Sequence, residues 1–191
     1  MEAVFPYTIE PLCRDRWQNH RLEFRYTSYN YYEVAISHLS DAAGFEVSFV
    51  KTAFDTPFVN PTDDIDKLFK PRHENVKAWG VIVEGNLVAA IETAIEDWSN
   101  RLRVTVLWVD EGYRRRGIAT ALMNKALERA RAEKRRAVFL ETQSCNEGAI
   151  DFYLRYGFTL IGFDAFAYRN NDLERKEVRM EFGIRLEECN R

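Results

Sequence analysis

Apolar and polar positions alternate most regularly from Val76 to the end of the last predicted strand. Residues 77–83 and 87–95 are apolar runs joined by Glu84-Gly85-Asn86, a β-hairpin signal. A second turn, Glu96-Asp97-Trp98-Ser99-Asn100, leads to another apolar run over 101–109, so three strands form an antiparallel meander. Beyond a basic turn, Ile118, Ala121, Leu122, Ala126 and Ala130 recur at helical spacing, with Lys125, Glu128, Arg129 and Arg131 expected mostly outward. Residues 137–142 read as the next strand. The path from 101–109 through the helix to 137–142 is a βαβ crossover, which implies two parallel neighbours. A second helix is expected over 146–156, with Asn146 as N-cap, Glu147 in its first turn and Gly157 at its end. Residues 158–168 and 176–186 then form a closing strand pair across Asn170-Asn171-Asp172. In the last of these, Val178, Met180, Phe182 and Ile184 alternate with Arg179, Glu181 and Arg185.

The first 75 residues are less regular. Residues 4–10 suggest a first strand, 12–22 a short helix begun by Pro11, and 45–54 a strand. The run from Tyr26 to Tyr32 is rich in aromatic residues, which either line a substrate pocket or serve as core and strand. Residues 54–72, with Pro and Asp and no periodicity, predict a long loop, either a substrate lid or a solvated connector. No repeat or low-complexity tract divides the chain. It reads as a single domain over 1–191, with a variable part over 1–75 and a cofactor-binding and catalytic core over 76–186.

Composition narrows the function. The 191 residues suffice for a substantial core, and 46% hydrophobic with 30% charged residues is ordinary for a globular protein. A net charge of −3 argues against general nucleic-acid binding. No apolar run approaches the roughly 20 residues of a membrane span, and the first residues lack the pattern of a signal peptide. Cys13, Cys145 and Cys189 fit neither a disulfide framework nor a zinc spacing, and His20, His38 and His73 have no ligand-like spacing. The expectation is a cytoplasmic protein with no metal site. Cys145 reads as a small packing residue or, alternatively, a nucleophile.

The chemistry concentrates over residues 107–130. Arg114-Arg115-Arg116-Gly117-Ile118-Ala119 offers successive backbone N–H groups at a helix N-terminus, framed by guanidinium groups. Orphan N–H groups and the positive end of the helix dipole attract anions, and the arginine fork suits phosphate oxygens. The second segment of interest is Asn146-Glu147-Gly148-Ala149-Ile150-Asp151-Phe152-Tyr153-Leu154-Arg155-Tyr156-Gly157-Phe158.

In this order, and separated by a helix and a strand, the two segments resemble the GCN5-related N-acetyltransferase (GNAT) superfamily. The first matches its R/Q-x-x-G-x-G/A turn, with Ala119 at the second small position. The second matches N-x-x-A-x-x-F-Y-x-x-x-G-F. The resemblance covers roughly residues 76–186. Leu140-Glu141-Thr142-Gln143 and Ile161-Gly162-Phe163-Asp164 look most like the streptothricin acetyltransferase branch. The resemblance implies an α+β, three-layer fold: a mixed, mostly antiparallel sheet with a splayed parallel strand pair, flanked by helices. It also implies acetyl-CoA as acetyl donor and a small amine as acceptor, aminoglycoside- or streptothricin-like, attacked directly in a ternary complex. A protein or peptide N-acetyltransferase, or a non-catalytic acyl-CoA sensor, is the alternative.

Carried onto this chain, the resemblance gives each residue a role. N–H groups of Arg115, Arg116, Gly117, Ile118, Ala119 and Thr120 would hold the CoA pyrophosphate, with charge from Arg114 and Arg116. The backbone of Leu107, Trp108 and Val109 would pair with the pantetheine arm, provided that strand 137–142 splays away. Asn146 would reach the pantetheine. Tyr153 would protonate the departing thiolate, phenol and thiol having comparable pKa values; its other reading is a buried aromatic beside Phe152. Many family members carry a carboxylate base on the strand before the turn, and 103–108 has none. Glu92 on the preceding strand is the first substitute, with Glu96, Asp97 and Glu141 behind it, or ordered water with no dedicated base. Carboxylates at Asp63-Asp64-Ile65-Asp66, Glu92, Glu96 and Asp97 would suit a cationic acceptor. The exposed edge of the closing strand pair could serve a homodimer.

Overall fold

The computed structural model describes residues 6–39, 43–61 and 65–186. Asp63, Asp64, Cys189 and the start of the expected 4–10 strand lie outside them. The described strands are β1 (Glu10–Leu12), β2 (Arg21–Glu23), β3 (Thr27–His38), β4 (Phe45–Val59), β5 (Ile65–Lys67), β6 (Lys77–Val83), β7 (Asn86–Glu96), β8 (Arg101–Val109), β9 (Ala137–Gln143), β10 (Thr159–Asp164) and β11 (Arg179–Arg185). The helices are α1 (Arg14–Trp17), α2 (Ile118–Ala132), α3 (Glu147–Tyr156) and α4 (Asp172–Arg175). None of the described helices is long and apolar enough to cross a membrane. The chain divides into two compact units: Met1–Arg25, Thr62–Leu140 and Ile184–Arg191 in one, Tyr26–Pro61 and Glu141–Gly183 in the other. Each unit draws on both sides of residue 75.

In the first unit the strand order is β1-β6-β7-β8-β9. Neighbours are antiparallel except β8 and β9, which are parallel as the crossover requires. The sheet is therefore mixed and mostly antiparallel, as expected. Glu84 (φ 50°) and Gly85 (φ 83°) close the β6–β7 hairpin as a two-residue turn with both centres left-handed. That geometry matches the twist of the flanking strands. β7 is buried from Leu87 to Ile95, which explains its continuous apolar run: a strand covered on both faces has no reason to alternate. α2 packs Leu122, Met123, Ala126 and Ala130 against the meander. Leu12, Trp17, Leu22, Leu68, Phe69, Ala90, Val106 and Trp108 form a second apolar cluster.

Arg129 corrects the helical reading. Expected outward, it is only 6% exposed. Its Nη1 donates to the Thr93 carbonyl (2.9 Å) and hydroxyl (2.7 Å), and Nη2 to the Asn75 carbonyl (2.6 Å). Its Nε donates to Glu133 (3.0 Å), which Lys77 also contacts (2.8 Å). The position borders Ala126 and Ala130 on the wheel, and buried carbonyls outside the ladder need donors.

The N-terminal readings need three corrections. The first strand is the short Glu10–Leu12, and the helix after Pro11 is the single turn α1, followed by Asn19 in the left-handed region (φ 63°) and by β2. β2 pairs with β5. The expected 54–72 loop is the end of β4, then β5.

In the second unit, β3 and β4 form a long antiparallel ribbon, and the remaining strand order is β9-β11-β10. The β3–β4 register jumps from Ser28↔Phe58 to Asn30↔Ala53. Pro57 thus sits inside a bulge, where it owes the ladder no N–H, and this is why the strand survives its proline. Phe54 and Phe58 stack (5.9 Å) and lie against Tyr31 (4.6 Å) and Tyr26 (6.1 Å), giving the bulged strand its packing. The closing pair is shorter than expected, and its connection contains α4 where a plain turn was expected. Asp172 organises it, accepting from the Tyr168 N–H at 2.9 Å.

Arg129→Met removes donors from the buried Thr93 carbonyl and hydroxyl and from the Asn75 carbonyl while keeping helical propensity. It should destabilise the protein by about 3 kcal/mol, read as a lower urea midpoint at unchanged slope.

Candidate active site

The basic turn is built by local rules. β8 ends at Val109, and Asp110 caps the short turn that follows by accepting from the Gly112 N–H at 3.0 Å. Arg115 (φ 61°) and Gly117 (φ 78°) are both left-handed. Two such residues around Arg116 turn successive N–H groups toward one concave side. Gly117 is the N-cap of α2 and offers no side chain to its first turn. The N–H groups of Ile118, Ala119 and Thr120 therefore have no side-chain cap, and residues 115–117 are exposed. An anion can reach them.

Arg114 and Arg116 are anchored. Arg114 donates Nε to the Val109 carbonyl (3.0 Å) and Nη2 to the Arg25 carbonyl (2.6 Å). Arg116 donates to the Gly112 carbonyl (3.1 Å) and lies over the Tyr113 ring (5.5 Å). Both guanidinium groups stay at the turn, but their hydrogen bonds hold the loop's shape. Arg115 projects into solvent.

β8 behaves differently on its two sides. Its ladder with β7 runs from Glu96↔Arg101 to Ala89↔Val109. Its ladder with β9 has three pairs, Arg101↔Ala137, Leu102↔Val138 and Arg103↔Phe139, and no more. Beyond Arg103 the β9-facing edge is free of that ladder, which is the splaying required for a ligand to pair with Leu107, Trp108 and Val109 by backbone. The Trp108 side chain is fixed by its indole N–H, which donates to the Glu23 carbonyl at 2.9 Å.

The Glu92 carboxylate is buried, 1% exposed. The β7–β8 register shifts between Glu92↔Val106 and Thr93↔Val104, so Thr105 bulges. The Thr105 hydroxyl donates to Glu92 Oε1 at 2.8 Å, and the Phe69 N–H donates to Oε2. Burial pushes the Glu92 pKa up, partly offset by these two hydrogen bonds. Of the substitutes behind it, Glu96 accepts from Arg101 (2.8 Å) and Asp97 from Arg135 (2.6 Å).

The other candidates lie in the second unit. Asn146 is the N-cap of α3, its Oδ1 accepting from the Ala149 N–H at 3.2 Å. Tyr153 is buried among Phe152 (5.6 Å), Phe158 (5.9 Å) and Phe182 (6.1 Å). Burial pushes its phenol well above the usual value, so it is protonated throughout the working range. Glu141 faces Arg179 at 3.8 Å. Cys145 is fully buried with Tyr26 Oη 3.8 Å from its sulfur, and a thiol shut away from solvent suits packing.

Residues 47–158 match the acetyltransferase (GNAT) family model, more than half of the chain. The chain belongs to the GNAT acetyltransferase family. It is an acetyl-CoA-dependent N-acetyltransferase, acetyl-CoA being the donor that GNAT enzymes use. Among relatives, it is 30% identical to a streptothricin acetyltransferase of Escherichia coli over 148 residues, covering 78% of this chain and 80% of that one. It is 27% identical to streptothricin acetyltransferase A of Bacillus subtilis (strain 168) over 124 residues, 64% of this chain and 71% of that one. Two crystal structures share its fold. One is a nourseothricin acetyltransferase (TM-score 0.72, 22% identity, 94% of this chain and 98% of that one). The other is a Bacillus anthracis protein provisionally assigned as a streptothricin acetyltransferase, in complex with acetyl coenzyme A (TM-score 0.74, 18% identity, 96% and 100%).

One polar cluster of this GNAT enzyme escaped the sequence reading. Lys51 from β4 sits between Glu147 (2.9 Å) and Asp151 (3.0 Å) on α3. Asn30 from β3 donates its side-chain amide (2.7 Å) and its backbone N–H (3.1 Å) to the same Glu147. A hint was present: Glu147 and Asp151 are like charges at i and i+4, an arrangement that is unfavourable unless a cation intervenes. Its partners stand about a hundred residues upstream, beyond the reach of a local pattern.

The raised Glu92 pKa fixes a sign. The folded protein holds this proton more tightly than the unfolded chain, so stability from the group is complete at low pH. It is lost as pH rises from the unfolded value through the folded one. Glu92→Gln keeps an acceptor for Phe69 and removes that loss. Its urea midpoint relative to the native protein should climb as pH rises above the ordinary carboxylate range; a flat difference would refute the shift.

Proposed function

We propose that this GNAT enzyme moves the acetyl group of acetyl-CoA to a primary amine of a small cationic acceptor of the streptothricin type, by direct attack in a ternary complex. The observation that carries the acceptor class is the 30% identity to a streptothricin acetyltransferase over about four-fifths of both chains. The donor half of the reading is supported by the turn and the β8 edge. Exposed N–H groups around Gly117 suit a diphosphate. Backbone groups over 107–109, free of the β9 ladder, suit the amides of a pantetheine arm.

The chemistry then needs a neutral amine, a donor near the carbonyl oxygen and a stabilised thiolate. Glu92 is the candidate base, its proton affinity raised by burial, acting on the ammonium through ordered water. A backbone N–H near Val109 is the candidate oxyanion donor. Asn146 reaches the pantetheine. Tyr153 supplies a hydrogen to the departing sulfur, a role that fits a phenol kept neutral by burial. No observation on the molecule favours the protein-modifying or sensor alternatives.

Free-thiol release with streptothricin, a simple polyamine and a peptide amine as acceptors tests the acceptor class. Streptothricin should give the highest kcat/KM; preference for the peptide would overturn it. Tyr153→Phe should lower kcat about 10²-fold with acetyl-CoA affinity unchanged in calorimetry, and an undiminished kcat would remove the acid role.

A further inference from the structure

A side chain from the start of the chain reaches the Gly117 turn, and neither family motif includes it. Gly117 is exposed, left-handed and without a Cβ. Among the described residues, its chain neighbours aside, a single heavy atom lies within 4 Å of the point a Cβ would occupy. That atom is the hydroxyl oxygen of Tyr7, at 3.8 Å. The space over the turn is thus open except for one hydroxyl at its rim.

The chain that follows Tyr7 is tied to the first unit's sheet and to the turn. Three residues on, β1 begins and is laddered to β6 through Glu10↔Gly80, Pro11↔Trp79 and Leu12↔Ala78. The same N-terminal stretch meets the turn again through the Arg25 carbonyl, bound by Arg114 at 2.6 Å, and the Glu23 carbonyl, bound by Trp108 at 2.9 Å. Tyr7 as a whole is half-buried.

We propose that the Tyr7 hydroxyl is a further ligand of the CoA diphosphate, donating to an oxygen that the Gly117 turn also holds. A phenol donates to an anionic oxygen at about 2.7 Å and an amide N–H at about 2.9 Å. One oxygen over Gly117 can therefore accept from both. The phenol adds a donor without adding charge, and it selects for the diphosphate over the pantetheine arm alone. The proposal rests on reading this turn as the diphosphate site.

Calorimetric titration of the native protein and Tyr7→Phe, each with acetyl-CoA and with acetyl-pantetheine, tests it. The second ligand carries the same thioester arm without the diphosphate. Tyr7→Phe keeps the ring and should keep the native thermal midpoint. It should bind acetyl-CoA about ten-fold more weakly, the worth of one hydrogen bond to a charged group, and acetyl-pantetheine equally well. Undiminished acetyl-CoA affinity, while the native protein still prefers acetyl-CoA to acetyl-pantetheine, would overturn the Tyr7 role and leave the turn reading standing. An equal loss for both ligands would overturn it as well, since the hydroxyl would then act through packing. A native protein that binds both ligands equally would overturn the turn reading and the Tyr7 role together.

Discussion

The structure depends on a strand that keeps its hydrogen bonds on one side and gives them up on the other. Interior strands normally satisfy N–H and C=O groups in both directions, because an unpaired buried backbone group costs about as much as a lost hydrogen bond. β8 is laddered to β7 throughout and to β9 at three positions only. The groups it leaves over must meet water, a side chain or a ligand, and the Val109 carbonyl meets Arg114. The chain direction makes this tolerable: β8 and β9 are joined by a crossover through α2, so their far ends are not tied by a tight turn and can diverge. The same crossover puts the first turn of α2 immediately after the freed edge. On the proposed function, a peptide-like arm and a diphosphate would be served by consecutive stretches of backbone.

Anchoring of the turn follows from this. A loop that binds an anion with N–H groups must hold those groups in place before the anion arrives. Here the side chains that carry positive charge also do the holding: Arg114 bridges Val109 and Arg25, and Arg116 reaches back to Gly112. Charge and shape are supplied by the same residues, which is why replacing either arginine would disturb more than an electrostatic field. It also brings the N-terminal segment into the first unit's chemistry, although that segment carries no recognisable motif.

What the sequence revealed and concealed divides along physical lines. The meander, the crossover, the Asn146 cap and the Gly157 stop are set by local preferences and short periodicities, and they were legible. So was the basic turn, whose glycine and arginines are adjacent in the chain. Arg129 was not, since a charged residue on a helix reads as solvated until the carbonyls of Asn75 and Thr93 are seen beside it. The end of β4 was hidden because Pro57 argues against a strand unless a bulge excuses its missing N–H. Lys51 and Asn30 meet Glu147 and Asp151 only through a β-ribbon folding onto a helix, a long-range event with no local signature. Tyr7 escaped for the same reason.

Burial gives the two candidate catalytic groups a shared direction and opposite consequences. Removing water penalises the anion, so both Glu92 and Tyr153 hold their protons more tightly than they would in solvent. For a base this is a gain: a carboxylate with raised proton affinity is better matched to an ammonium than an ordinary one. For an acid it is a loss. An unperturbed phenol and thiol differ by about 1.5 pKa units, so transfer from an ordinary tyrosine to a leaving thiolate is uphill by a factor of only about 30. Burial widens that gap and makes full transfer more steeply uphill. A neutral phenol can still donate a short hydrogen bond to developing negative charge, and in a dry setting that bond is stronger than in water. On this reading Tyr153 stabilises the sulfur as the C–S bond breaks, and the proton need not follow until the thiolate reaches solvent.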